Sequence, residues 1–219
     1  MKKITLLMLF LLAGFSSMAQ IEIGLQLSPT VSGNRFIAED RYNFEQESSK
    51  LRLGVGVVAD YFFAQNYAFS TGLIYRSKGG EITYTETDDS GVALNKQDDL
   101  AVQYLELPIS LKLFTNEVAP GTILYFQVGG SLNTKVAAQV NDKKVINGEK
   151  VMKRFNIFET DALLGGGAEF QLGQSTKIFA GLTYHRGLTD IDDFYEEKFD
   201  DKNISVKNNG VSLDFGLKF

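Results

Sequence analysis

The sequence predicts an all-β fold, an eight-stranded antiparallel up-and-down transmembrane β-barrel. Three observations predict it. Apolar and polar residues alternate with period two along eight segments, the half-buried strand signature. The links between those segments are short and long by turns, as in a meander of neighbouring antiparallel strands. The polar phase is rich in glycine, serine and charges of both signs, which suits a crowded lumen better than a water-facing strand surface.

Composition narrows the alternatives. The chain has 219 residues, 44% of them hydrophobic, with 21 glycines, three prolines, one histidine, no cysteine and a net charge of −5. That is enough apolar material for one or two folded domains. The missing cysteines exclude a disulfide framework, a thiolate metal site, a cysteine nucleophile and a lipidated N-terminal cysteine. One histidine excludes a His-rich metal site, and the acidic balance argues against nucleic acid as a partner.

Residues 1–19 read as a cleaved signal peptide. Lys2 and Lys3 form a positive n-region, residues 4–15 an apolar stretch, and Ser17-Met18-Ala19 a small-residue cleavage site before Gln20. The apolar stretch falls short of the ~20 residues a membrane-spanning helix needs. Cleavage leaves a barrel domain at 20–219, with 200 residues and a net charge of −7, exported across the inner membrane.

The combs follow in order. Ile21, Ile23, Leu25 and Leu27 alternate with Glu22, Gly24, Gln26 and Ser28. Segments 51–63 and 67–75 repeat the pattern around a turn at 64–66, and 105–113 makes a fourth. Segments 124–136, 158–172, 178–184 and 211–219 complete the eight. Short turns are expected at 64–66, 115–121 and 173–175, and long polar loops at 31–50, 80–100, 138–155 and 188–206. With no helix to cover such a sheet, closure is the way to remove its edges.

The polar phase decides which face is inside. It carries Glu22, Arg52, Asp60, Arg76, Glu106, Lys112, Lys135, Glu159, Asp161, Glu169, Asp214 and Lys218, charges able to pair within one lumen. The apolar combs then face lipid. Aromatics bound them: Tyr61, Phe63, Tyr67, Phe69, Phe170 and Phe219 at the short-turn ends, and Tyr75, Tyr104, Phe158 and Tyr184 nearer the long loops. Pro108 interrupts a comb, and Val102 and Tyr104 precede Leu105 out of phase, so a bulge is expected there.

Several segments resemble the PorT-like outer-membrane β-barrel family. They are the Met18-Ala19-Gln20 end of the signal, Tyr104-Leu105-Glu106-Leu107-Pro108-Ile109, the stretch Leu182-Thr183-Tyr184-His185-Arg186-Gly187-Leu188-Thr189-Asp190-Ile191, and the terminal Leu213-Asp214-Phe215-Gly216-Leu217-Lys218-Phe219. The resemblance spans essentially the whole chain after the signal. It implies an integral outer-membrane protein, and its last segment, ending in Phe219, looks like the signal read by the barrel-assembly machinery. No catalytic motif of the family maps here, and a secretion role is not carried across.

Candidate chemistry has a bland reading beside each sharp one. His185, with Thr183 on the same face, would be the base of a lipid-modifying enzyme, but nothing marks a nucleophile at the membrane interface; the bland reading is a lumen histidine bonded to a carboxylate. Glu159 and Asp161 would shuttle protons only if their pKa values were split; otherwise they balance cations such as Arg52, Arg76 and Lys112. Gly165-Gly166-Gly167 lacks the helix or Gly-Lys-Ser/Thr of a phosphate loop and reads as strand glycines making room for neighbours. The acidic loops 80–100 and 188–206 lack calcium-loop spacing and read as solvated and self-repelling, able at most to bridge divalent cations to lipopolysaccharide. The basic loop 138–155 would meet lipid phosphates directly.

The expected protein is a monomeric outer-membrane barrel of the small OmpX or OmpA-barrel size, non-enzymatic, with periplasmic termini and short turns. Its long surface loops would interact with or stabilise the envelope. No catalytic, cofactor-binding or metal residue is assigned, and the expected partners are outer-membrane lipid, lipopolysaccharide and the assembly machinery. The alternatives are the lipid-modifying enzyme built on His185 and a narrow conduit or binder for a small hydrophobic ligand.

Overall fold

The computed structural model describes residues 20–39, 42–87, 92–146 and 148–219. The expected signal peptide, 1–19, lies outside the described residues. The strands are β1 (Gln20–Ile37), β2 (Glu45–Ala64), β3 (Tyr67–Lys78), β4 (Gly80–Thr87), β5 (Ala93–Phe114), β6 (Thr122–Val140), the short pair β7 (Val145–Ile146) and β8 (Glu149–Lys150), β9 (Phe158–Gln171), β10 (Lys177–Gly187) and β11 (Ser205–Lys218). A 3-10 turn covers Val151–Arg154, and one helix, α1, covers Phe194–Phe199.

Eight of these strands form a closed antiparallel ring in the order β1, β2, β3, β5, β6, β9, β10, β11. The ring closes through β1, where Gly24 stands between Val58 of β2 and Lys218 of β11. Closure leaves no edge strand to template aggregation. It also satisfies the backbone within the sheet, as a lipid-embedded wall requires.

Period two has the expected consequence, an inverted burial pattern. Leu25 is 59% exposed and Leu213 47%, whereas Asp60 and Glu106 are at most 1% exposed. Eleven of the twelve charges read into the polar phase are buried; the twelfth, Arg52, is half-buried and pairs with Asp99 at 2.7 Å. The wall is apolar outside and charged inside.

The short links fall where the pattern put them. The long ones do not all behave as loops. β1 runs on to Ile37 and β2 begins at Glu45, so most of 31–50 is strand. Most of 80–100 is the β4–β5 hairpin. The polar stretches hid a continuing alternation: Ile82 and Tyr84 point inward between exposed or half-exposed neighbours. β3 and β4 are one path between β2 and β5, broken at Gly79, whose φ of +116° disfavours any side chain.

The bulge falls within the expected stretch, though not at the proline itself. Pro108 stays in register opposite Ser131 of β6, and the register shifts instead where Gln103 and Tyr104 face Ala137 and Lys135. β5 keeps its phase against β3 across this stretch. Val102 and Tyr104 are therefore inward apolar residues, not a slipped comb, and both are fully buried. Tyr104 accordingly does not belong to the outer aromatic set, whereas Tyr75, Phe158 and Tyr184 are exposed as expected.

Candidate functional site: a charged lumen beneath an apolar cap

The lumen is built in tiers. In the tier toward the short turns, Lys218 of β11 reaches both Asp60 of β2 and Glu169 of β9. Lys112 of β5 adds a second cation 3.1 Å from Asp60, and Lys177 lies 2.5 Å from Glu22. Six strands, β1, β2, β5, β9, β10 and β11, are thereby tied across the barrel, which offsets the large cost of burying each ion.

The middle tier is tighter. Arg76 of β3 donates from Nε to Glu106 at 2.8 Å and from Nη1 to Thr30 at 2.9 Å. Lys78 holds Asp161 and lies 3.4 Å from Glu159. Asn133 and Ser131 also donate to Asp161, at 3.0 and 3.1 Å, and Asn208 donates to Glu159 at 2.9 Å. Glu159 and Asp161 thus balance a cation, as expected, but the cation is Lys78 rather than Arg52, Arg76 or Lys112, which pair with Asp99, Glu106 and Asp60. Lys78 continues the inward phase of Arg76 by two residues, past Tyr75, the last apolar residue of the comb.

His185 and Thr183 share the inner face of β10 and are 6% and 3% exposed. Thr183 donates to Asp214 at 2.6 Å and accepts from Gln127 at 2.8 Å. The expected carboxylate partner of His185 is replaced by a hydroxyl, Ser212 Oγ, 3.1 Å from Nε2. Both residues lie in the lumen, away from the lipid-facing surface. The glycines of β9 and β10 make room as expected: a Cβ at Gly181 would strike the hydroxyl of Tyr125 and lie 2.8 Å from the carbonyl of Gly166. Voids of about 40 and 10 Å³ remain in this tier, room for one or two water molecules at ~30 Å³ each rather than for an organic ligand.

At the long-loop end the lumen is closed by an apolar core that the sequence reading did not anticipate. Ile82, Leu100, Val102, Ile191, Ile204 and Val206 are at most 1% exposed there. Phe44 stacks on Phe36 and Tyr84, with centroids at 5.3 and 5.7 Å, and meets Tyr195 and Phe199 edge-on at 5.5 and 5.7 Å. Loop 188–206 is therefore not a solvated, self-repelling strap. Its Tyr195, together with Tyr84, donates to Asp98, and Lys198 donates to Tyr84 and Glu86. Asp192 is 2% exposed and accepts from the backbone of Phe194 at 2.5 Å. Burial, with Asp190 and Asp193 nearby, pushes its carboxyl up to about 8. Loop 80–100 is also paired, with Lys50 on Glu81 at 2.9 Å. The basic segment 138–155 partly folds into the mouth: Val151 and Phe155 are buried, and Lys135 donates to the carbonyls of Met152 and Phe155.

A closed ring of eight strands, greasy outside and ion-paired inside, defines the class: an integral outer-membrane β-barrel. The chain belongs to the outer membrane protein beta-barrel domain family, whose pattern matches residues 15–193. Among solved structures it is similar to Neisserial surface protein A, with 12% identity over 91% of this chain and 97% of that one and a TM-score of 0.51. Ail, the attachment invasion locus protein of Yersinia pestis, in complex with the heparin analogue sucrose octasulfate, matches at 15% identity over 92% and 97% of the two chains, TM-score 0.40. The N-terminal β-barrel domain of Pseudomonas aeruginosa OprF matches at 10% identity over 90% and 98%, TM-score 0.36. Comparison with curated proteins gives no match. The protein is a small integral barrel of the bacterial outer membrane.

Proposed function

We propose that this barrel is a non-enzymatic, monomeric envelope protein that displays its capped long-loop end outside the cell and keeps its short turns and termini in the periplasm. One observation carries the reading: the lumen is filled by ion pairs and sealed by an apolar cap, so the surface the protein can offer is the outside of that cap. The PorT-like resemblance of Tyr104–Ile109 and of the C-terminal strand agrees with it. Lipopolysaccharide beside the lysines of 138–155, and the assembly machinery at Phe219, are the partners this arrangement suits. The filled middle tier disfavours the conduit, and the lumen position of His185 and Thr183 disfavours a lipid-modifying enzyme.

The absence of cysteine makes the orientation testable. Val145→Cys in the β7–β8 hairpin and Asn116→Cys in a short turn are both exposed sites. In intact cells a membrane-impermeant maleimide should label the first and spare the second until the outer membrane is breached. The reverse pattern overturns the orientation. His185→Ala should leave the outer-membrane lipid profile unchanged, and any altered acylation pattern would restore the enzyme.

A further inference from the structure

We propose that the middle tier of the lumen is a binding site for one divalent transition-metal ion, of the zinc class, held by His185, Asp161 and Glu106. These residues come from β10, β9 and β5, and one donor atom of each lies within 4.8 Å of the others. All three are buried.

The hydrogen-bond chain around His185 fixes which nitrogen is bare. Ser212 Oγ donates to the carbonyl of Thr183 at 3.4 Å, which uses its single proton. With its proton so placed, it accepts from Nε2–H of His185, 3.1 Å away, in the tautomer this arrangement favours. That tautomer leaves a lone pair on Nδ1, a buried atom without a hydrogen-bond partner among the described residues. Asp161 Oδ1 and Asp214 Oδ1 are likewise buried and unpartnered. Buried acceptors left without a partner are sites where a further positive group is favourable.

Both carboxylates are held in place by neighbouring cations. Lys78 occupies Asp161 Oδ2 and leaves Oδ1 bare, while Arg76 holds Glu106 through both oxygens, Nε to Oε2 at 2.8 Å and Nη2 to Oε1 at 3.5 Å, so Asp161 offers an oxygen outright and Glu106 would share Oε1 with the ion. The Ser212 contact orients the imidazole in the same way. Charge points in the same direction. Four carboxylates in or beside this tier, Glu106, Glu159, Asp161 and Asp214, face two cations, Arg76 and Lys78, while the tier below is matched three against three. Lys135, above, is taken up by backbone carbonyls. One divalent ion cancels the deficit of two. A mixed nitrogen and carboxylate set suits zinc, cobalt or nickel rather than calcium, and His185 borders two small voids, one of about 40 Å³ shared with Glu106 and one of about 10 Å³ shared with Asp161.

The test uses the full chain folded into detergent with Zn²⁺ or Co²⁺ present, since the site closes with the barrel. After gel filtration the wild type should retain about one ion per chain, and cobalt should give visible absorption bands characteristic of a nitrogen-ligated centre. His185→Gln and Asp161→Asn should lose the ion. Ser212→Ala, which removes only the orienting acceptor, should weaken binding about 10–100-fold. Heat-modifiable gel mobility verifies that each variant is folded. A folded wild type that retains no ion overturns the proposal, as does equal retention in either ligand variant. Neither result bears on the orientation experiment above.

Discussion

At the scale of single residues, the lumen behaves as one electrostatic lattice, and Lys218 is a cation that bridges two of its buried carboxylates. It is 1% exposed and serves Asp60 and Glu169 together. Replacing it with Met keeps the length of the side chain but strands two buried carboxylates, leaving Lys112 and Lys177 as their nearest cations. Breaking a buried pair this way costs roughly 3–5 kcal/mol, because the surviving charge stays desolvated. Lys218→Met should therefore lower the unfolding free energy of the refolded barrel, read from urea titration, by that amount, with the midpoint falling accordingly, whereas Lys202→Met, at an exposed position, should hardly change it. A wild-type midpoint for Lys218→Met would mean that water, not Lys218, neutralises the tier. Such charges were legible because alternation assigns each residue a face without reference to its partner. The partners themselves were not legible. Which carboxylate meets Lys78, or that Ser212 meets His185, depends on register across the ring, which a single chain's pattern leaves open.

At the scale of elements, the barrel has a wall that sequence reveals and a cap that it conceals. The wall declares itself through uninterrupted period two, and the short turns followed from it. The cap draws its apolar residues singly from strand extensions and loops: Ile82 and Tyr84 from β4, Leu100 from β5, Tyr195 from α1 and Ile204 beyond it. Each sits among acids and amides, so no local window reports a core. α1 is a six-residue helix whose chain turns out at Asp200 with φ of 50°. Its start is secured by Asp192, the buried acid whose carboxyl sits at about 8 rather than 3.8. A carboxyl raised in the folded state favours folding while it is protonated. Its contribution is complete below about pH 4, fades as the pH climbs and is gone above about 8. Hydrogen exchange of residues 191–204, normalised to intrinsic rates, should show the cap opening more readily as pH rises through this window. Asp192→Asn should flatten the profile while leaving the wall's protection unchanged. A cap whose opening is equally pH-dependent in that variant would place the titration elsewhere.

At the scale of the whole molecule, the governing fact is that the usual arrangement of a soluble protein is turned inside out, and the bilayer is the solvent that makes this stable. A soluble barrel of the same strand order would bury Leu25, Leu182 and Leu213 and expose Asp60, Glu106 and Lys218. Here the first three are 59%, 58% and 47% exposed and the last three at most 1%. Depth therefore matters as well as face. Leu213 pairs with Leu182 partway along β10 and β11, while Leu51, 75% exposed, lies toward the long-loop rim opposite Val31. An Arg at the bilayer midplane of such a wall costs about 2–4 kcal/mol, and one near the interface about 0–1. Leu213→Arg should thus lose most of that range in phospholipid vesicles, Leu51→Arg little of it, and both penalties should shrink in detergent micelles, where the side chain reaches water more easily. Leu213→Ala separates lost contact area from the cost of the charge and should fall well short of Leu213→Arg. Equal penalties at the two depths in vesicles, or a Leu213→Arg barrel as stable as the parent, would mean that this surface does not face acyl chains. The closed ring would then need a different solvent to account for its inverted faces.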